Sequence, residues 1–308
     1  MSASLAPGRS TVRGIGYMIV SCLAFACVWG LIRLASAEVS AWMIVFFRTL
    51  FGCVFLLPNL FKDGLTLLKT ERLPLHAVRG FTAIIATFGI FYAVTVAPLS
   101  LVVAISYAAP LFTTLGAVLL LKERIRARRI TALIIGFAGM LVVLRPGEAL
   151  VVNPGVIAAV IGTLGIAASM LTIKALAPTD SPRTIVAYAF LLPLPATFLA
   201  ALPSWTWPDA DAWALLLAIG LIAGLGQYAL ARSFAEADAS AVLPFDFVRL
   251  LAATAIGALA FGETIRLQTL AGALIILAAS VYLAHREALA ERRSRRARRI
   301  AGVDPPAV

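Results

Sequence analysis

One stretch, Ala237–Ile265, constrains this chain more than any other: ADASAVLPFDFVRLLAATAIGALAFGETI. It is apolar enough to sit in a bilayer, yet Pro244, Asp246 and Arg249 lie well inside it. A charge at that depth costs roughly 2.5–3.5 kcal/mol on insertion scales, so such residues face a bundle interior or a watery cavity. Pro244 removes a backbone donor and clashes one turn back, which predicts a kink or an opening of the helix at that point.

The stretch has a counterpart. Moved back by 140 positions, it falls on Ala97–Ile125, APLSLVVAISYAAPLFTTLGAVLLLKERI. Ala97 meets Ala237, Ser100 meets Ser240, Val102 meets Val242, Glu123 meets Glu263 and Ile125 meets Ile265. The register continues through Arg126 and Arg266, Ile135 and Ile275, and Ala138 and Ala278. Each copy carries one proline well inside it, Pro110 or Pro244, at different heights, and the first has Pro98 at its edge as well. This is an internal duplication, and it decides how the rest of the chain is divided.

Composition fixes the solvent. Hydrophobic residues make up 61% of the 308 positions and charged residues only 13%, where soluble domains carry about 25% charge. An all-α integral membrane protein is expected, with about 20 apolar residues per crossing. Ten apolar runs separate: 14–35, 41–60, 76–96, 99–121, 130–144, 156–176, 184–202, 212–235, 239–261 and 267–284. They predict a cytoplasmic segment 1–13, a five-helix repeat 14–144, an external connector 145–154, a second five-helix repeat 155–285 and a basic cytoplasmic tail 286–308.

Basic residues set the orientation. With the N-terminus inside, the inner segments hold Arg9, Arg13, Lys62, Lys69, Arg72, Arg79, Lys122, Arg124, Arg126, Arg128, Arg129, Lys174, Arg183 and the tail. The outer loops hold Arg33, Arg145 and Arg266. That asymmetry predicts a multi-pass inner (plasma) membrane protein with both termini cytoplasmic. A five-helix unit starts and ends on opposite faces, so its duplicate runs upside down. Inverted repeats of this kind place a substrate site near the midplane between them. The net charge of +11 is concentrated in the Arg292–Arg299 run, which reads as an anchor on anionic headgroups and not as a nucleic-acid site. Cys22, Cys27 and Cys53 sit in apolar runs without a CxxC pattern and are expected to be buried packing residues.

With these features in place, the sequence resembles the drug/metabolite transporter superfamily, EamA type. The resemblance covers essentially the whole chain. It rests on the entries APLSLVVAISYAAPLF and ADASAVLPFDFVRLL, each leading to a helix that ends at Glu123 or Glu263, and on the Gly/Ala-rich partners TALIIGFAGMLVVL and TLAGALIILAASVYL. Arg48 in FFRTLFGCVFLLP matches a family habit, whereas Lys122 stands where the second copy has the usual Gly262. Within the superfamily the chain is most similar to amino-acid and metabolite exporters of the YddG type. The resemblance implies ten helices, alternating access and export of small organic solutes.

Candidate substrate-binding residues follow from polar and aromatic groups inside the runs. Asp246 and Arg249 share a helix face and either neutralise each other or meet substrate charge. Arg48 is a charge within the second run. Gln227 and Tyr228 follow a GxxxG, Gly220 and Gly224, which ordinarily means close helix packing. Ser106 aligns with Asp246, and Tyr107 follows it. Trp29, Phe88, Tyr92 and Tyr107 are candidate aromatic walls. Trp205, Trp207 and Trp213 read as an outer interfacial belt. His76 and His285 fall at helix ends, where a snorkelling or lipid-facing role is expected. No phosphate-cradling or HExxH motif occurs, and the core offers no histidine and one acid, which disfavours a membrane-embedded enzyme. The expected protein is a monomer or homodimer that exports small metabolites, most of all amino acids and among them aromatic ones, with no cofactor, no metal and no nucleic acid. The alternative is a nucleotide-sugar or lipid-linked translocator, whose phosphates would favour more cavity cations than Arg48 and Arg249.

Overall fold

The computed structural model describes residues 10–58, 61, 64–96, 102, 105–123, 126–144, 154–262 and 267–300. Among them there is no strand. The helices are α1 Thr11–Ala35, α2 Ala41–Val54, α3 Leu73–Val96, α4 Ala109–Leu121, α5 Ala127–Leu144, α6 Pro154–Leu176, α7 Pro182–Ser204, α8 Ala210–Glu236, α9 Ala239–Phe261 and α10 Leu267–Ile300. Seven are long and apolar enough to cross a bilayer, and three apolar stretches are shorter: Ala41–Val54, Ala109–Leu121 and Arg129–Val142. Leu23, Phe81, Leu119, Leu199, Leu259, Leu274 and Val281 stand exposed on the outside. Such a surface is stable against lipid and a liability in water.

Local chemistry explains the helix ends. Ser10, Ser40, Ser181 and Asp209 cap α1, α2, α7 and α8, each side chain accepting a backbone N–H of the first turn. The prolines do the interrupting: α7 breaks at Leu192–Pro193, and α9 tightens to a 3₁₀ turn over Leu243–Phe247. Two C-terminal boundaries differ most from the sequence expectation. The second run reaches 60, but α2 stops at Val54, four residues before Pro58. The tenth run ends at 284, but α10 continues through the basic tail to Ile300, because Ala, Arg, Glu and Leu are strong helix formers. The link between the third and fourth runs, Arg145 and Glu263 lie outside the described residues.

The packing repeats as the sequence does. α1 lies along α8 and crosses α9; α6 lies along α3 and crosses α4; α5 pairs with α10. Exchanging 1 with 6, 3 with 8, 4 with 9 and 5 with 10 leaves this set of contacts unchanged, as a two-fold axis between the halves requires. The ends agree in backbone detail. α4 terminates on Lys122 at φ 53° and α9 on Gly262 at φ 64°, again 140 positions apart. Glycine adopts that left-handed cap without cost, whereas a lysine there is strained by roughly 1 kcal/mol.

Small residues let the helices touch. A Cβ on Gly165 would come within 2.8 Å of the Thr82 carbonyl oxygen, and one on Gly162 within 2.9 Å of the Ile90 nitrogen. On α8, a Cβ on Gly220 would meet Phe51 at 2.3 Å, and one on Gly224 would meet Phe55 at 2.5 Å. The GxxxG before Gln227 is therefore a packing face toward α2, which positions the polar residue one turn further on.

Candidate functional site

Pro244 and the tightened turn after it leave Leu243, Pro244, Phe245, Asp246 and Phe247 all buried. Asp246 is 3% exposed. The Arg249 Nη2 donates to its Oδ1 at 2.5 Å, a charge-assisted bond between residues three apart on one face. α1 closes over this pair. Its Cys22 Sγ lies 3.6 Å from the Phe245 carbonyl oxygen and 3.9 Å from Asp246 Oδ1, and the Arg249 guanidinium sits 5.0 Å above the Phe25 ring. From the other repeat, Tyr107 stacks on Phe247 with centroids 6.5 Å apart. These two are each other's counterparts under the 140-residue offset, so the halves meet on their own axis here. Phe247 in turn fills the space over Gly136 of α5.

A second polar group lies between α3, α7 and α8. Arg79 donates to the Ile185 carbonyl at 2.5 Å and to Gln227 Oε1 at 3.0 Å. One turn earlier His76 is fully buried, with Nε2 2.6 Å from Asp180 Oδ2 and its ring 4.4 Å from that of Tyr188. Thr70 donates to the same carboxylate oxygen at 2.7 Å, and Tyr188 donates to the Leu68 carbonyl. His76 is thus a buried hydrogen-bond partner of Asp180 and not the snorkelling residue its position suggests. Its partner lies 104 residues away, which no local pattern shows.

A third group closes the end of the bundle where the chain enters α1. Lys174 donates to the Phe234 carbonyl at 3.1 Å and to that of Ala237, and faces Glu123 at 3.5 Å. The Glu123 carboxylate accepts from the N–H groups of Ala239 and Ser240. Arg129 pairs with Asp238 at 3.0 Å and donates to Ser240 Oγ. Arg13 and the Ser10 N–H hold Glu236. At the opposite end Ser40 meets Ser204 at 2.8 Å, and Arg33 lies over the Phe261 ring.

The structure brings some of the candidates together and leaves others apart. Tyr107, Asp246 and Arg249 share one cluster, and Gln227 belongs to the second. Ser106 and Tyr228 are half-buried beside them in sequence. Arg48 is half-buried in α2. Phe88 packs on Trp42 at 5.3 Å, and Tyr92 and Trp29 are exposed, the latter at 57%. Trp205 and Trp213 pack against Phe47, leaving Trp207 as the exposed ring of the expected belt. Cys27 is exposed, because it falls on the opposite face of α1 from buried Cys22. Arg79, Glu123 and Lys174 were not candidates: their charges registered only as orientation signals or helix-end markers.

The two halves each match the model of the EamA-like transporter family, over residues 12–145 and 153–284. A riboflavin transporter of Vibrio cholerae is 32% identical over 92% of this chain and 97% of its own length. An S-adenosylmethionine uptake transporter of Rickettsia felis is 26% identical over 91% and 95%, and a pseudopaline exporter of Pseudomonas aeruginosa 26% identical over 88% and 95%. A solved crystal structure of 18% identity has the same fold, with a TM-score of 0.77 over 90% of this chain and 98% of that one. These likenesses make the protein a membrane transporter of small metabolites and not an enzyme. Two matched halves, a two-fold pattern of helix contacts and a polar helix break between them lead to one conclusion: the chain belongs to the EamA-like transporter family.

Proposed function

We propose that the chain carries an amino acid or a closely similar small metabolite outward across the inner membrane by alternating access between inverted repeats. The observation that carries this reading is the buried break of α9, where the Asp246–Arg249 pair and the Tyr107 and Phe247 rings meet α1 at the junction of the halves. A broken helix presents polar atoms at a depth where unbroken helices offer none. Ser106, Tyr107, Asp246 and Arg249 form one proposed wall, and Gln227 and Tyr228 another. Arg48, Trp29, Phe88 and Tyr92 are proposed to line the path. One acid, Asp246, beside only two bases, Arg48 and Arg249, suits a zwitterion better than a phosphate-rich solute. A second reading, a larger ring metabolite, is favoured by the 32% identity to a riboflavin transporter.

Counterflow in proteoliposomes decides between them. Vesicles preloaded with unlabelled solute should accumulate at least one of a panel of labelled amino acids, saturably. Accumulation of riboflavin alone would shift the substrate to the second reading. No accumulation of amino acids, riboflavin or S-adenosylmethionine would sink the proposal.

The same reading places ten spans in the bilayer with both termini in the cytoplasm. In a chain stripped of native cysteines, tags at Ser2 and Ala307 should react only from inside, and a tag at Ser204 from outside. External labelling of either terminus would rule out the inverted arrangement.

A further inference from the structure

We propose that Arg79 is the anion-binding residue of the transport path, holding the carboxylate of the carried solute. This rests on the transport reading above and names the substrate class it implies: organic solutes bearing a carboxylate.

The argument begins with the buried cations. Among the described residues, Arg249 has Asp246, Arg129 has Asp238 and Lys174 has Glu123. Arg79 is as buried as any of them, at 3% exposure, and has no carboxylate within ion-pair distance among the described residues. Its two partners, the Ile185 carbonyl and the Gln227 amide oxygen, are neutral, and its Nε is buried with no acceptor at all. A full charge without a counter-charge is among the most costly things a membrane interior can hold, and such groups mark substrate paths.

Position agrees. Gln227 lies nine residues before the end of α8 at Glu236, about 13 Å along the helix from that end. Arg79 reaches it from α3 in the first repeat, while Ile185 and Gln227 belong to the second. The guanidinium therefore sits at the seam that alternating access would open. A carboxylate entering that seam could take Nε and one terminal nitrogen as a fork, with the Gln227 amide nitrogen beside it. Arg249 is less suited, since Asp246 already neutralises it. Arg249 is thus locked by its own acid, and Arg79, the more deeply buried of the arginines without one, is left for the solute's.

The test uses purified full-length protein and two readouts. The first is the melting temperature without solute. Arg79→Gln removes an uncompensated charge and keeps a donor, so it is expected to melt higher than the parent, by about 3 °C. The second is counterflow of labelled L-phenylalanine, with L-phenylalaninamide as the carboxylate-free competitor. Phenylalanine should compete and the amide should not. Arg79→Gln should lose at least about tenfold in rate, with Arg79→Lys intermediate because it keeps the charge without the fork. A fall in melting temperature of several degrees in Arg79→Gln would make the arginine a structural brace and overturn the proposal. Undiminished counterflow in a stable Arg79→Gln, or equal competition by the amide, would overturn it too. If the parent carries none of the probes, the transport reading fails separately, and the melting comparison still decides whether Arg79 is a brace.

Discussion

Asp246→Asn and Arg249→Gln are each expected to lower the melting temperature sharply, and the double variant to recover most of the loss. Each single change leaves a charge in the interior with no partner, a cost of about 3–5 kcal/mol. For Arg249 the remaining neighbours would include the Phe25 ring, the Cys22 thiol and Tyr107, none of which replaces a carboxylate. For Asp246 the remaining contacts would be those with Cys22, at 3.9 Å. The double variant removes both charges together, and neutral replacements of such pairs are often tolerated. A thermal-unfolding cycle on the four proteins measures the coupling directly. The bond joins residues three apart on one element at 2.5 Å, so its first role is to stabilise the break in α9. Counterflow is therefore expected to return with stability in the double variant. A stable double variant with no transport would instead place Arg249 in direct contact with the solute.

This pair was legible in the sequence for the reason that makes it costly. Charges are so rare at mid-span that Asp246 and Arg249 stand out against Leu, Ala and Gly, and Pro244 marks the break beside them. The duplication was legible as well, down to Lys122 standing where Gly262 supplies a left-handed cap. Residue faces were not. In water an amphipathic stripe shows which side of a helix is buried. In a bilayer both the lipid face and the core face are apolar, so the stripe carries little information. Hence Cys27 reads as buried and is not. Arg79 and His76 were hidden differently. Charges near helix ends usually report orientation, and only the fold shows that their partners, Gln227 and Asp180, lie more than 100 positions away.

Lys174→Met is expected to destabilise the protein by about 3–5 kcal/mol, because the lysine serves two roles that nothing nearby can take over. The α8–α9 junction leaves carbonyls unpaired where α8 ends and N–H groups unpaired where α9 begins. Lys174 donates to the carbonyls of Phe234 and Ala237; Glu123 accepts from the N–H groups of Ala239 and Ser240. A cation thus meets the negative end of one helix dipole and an anion the positive end of the next, and the two charges face each other at 3.5 Å. Both side chains are about nine-tenths buried, so added salt should screen the pair little. Without the lysine, the carbonyls and the Glu123 charge lose their partner together. Glu123→Gln should cost less, since an amide oxygen still accepts from Ala239. The double variant should be more stable than the sum of the singles predicts, by roughly 1–3 kcal/mol, the signature of one shared interaction. The staple also ties α4 and α6 to the α8–α9 turn at the end the chain enters, so loosening it should expose that turn. A cysteine placed at Ala239, buried in the parent fold, should react faster with a maleimide in Lys174→Met than in the parent. Unchanged melting and unchanged labelling would show that Arg129 and its bond to Asp238 hold the junction without Lys174.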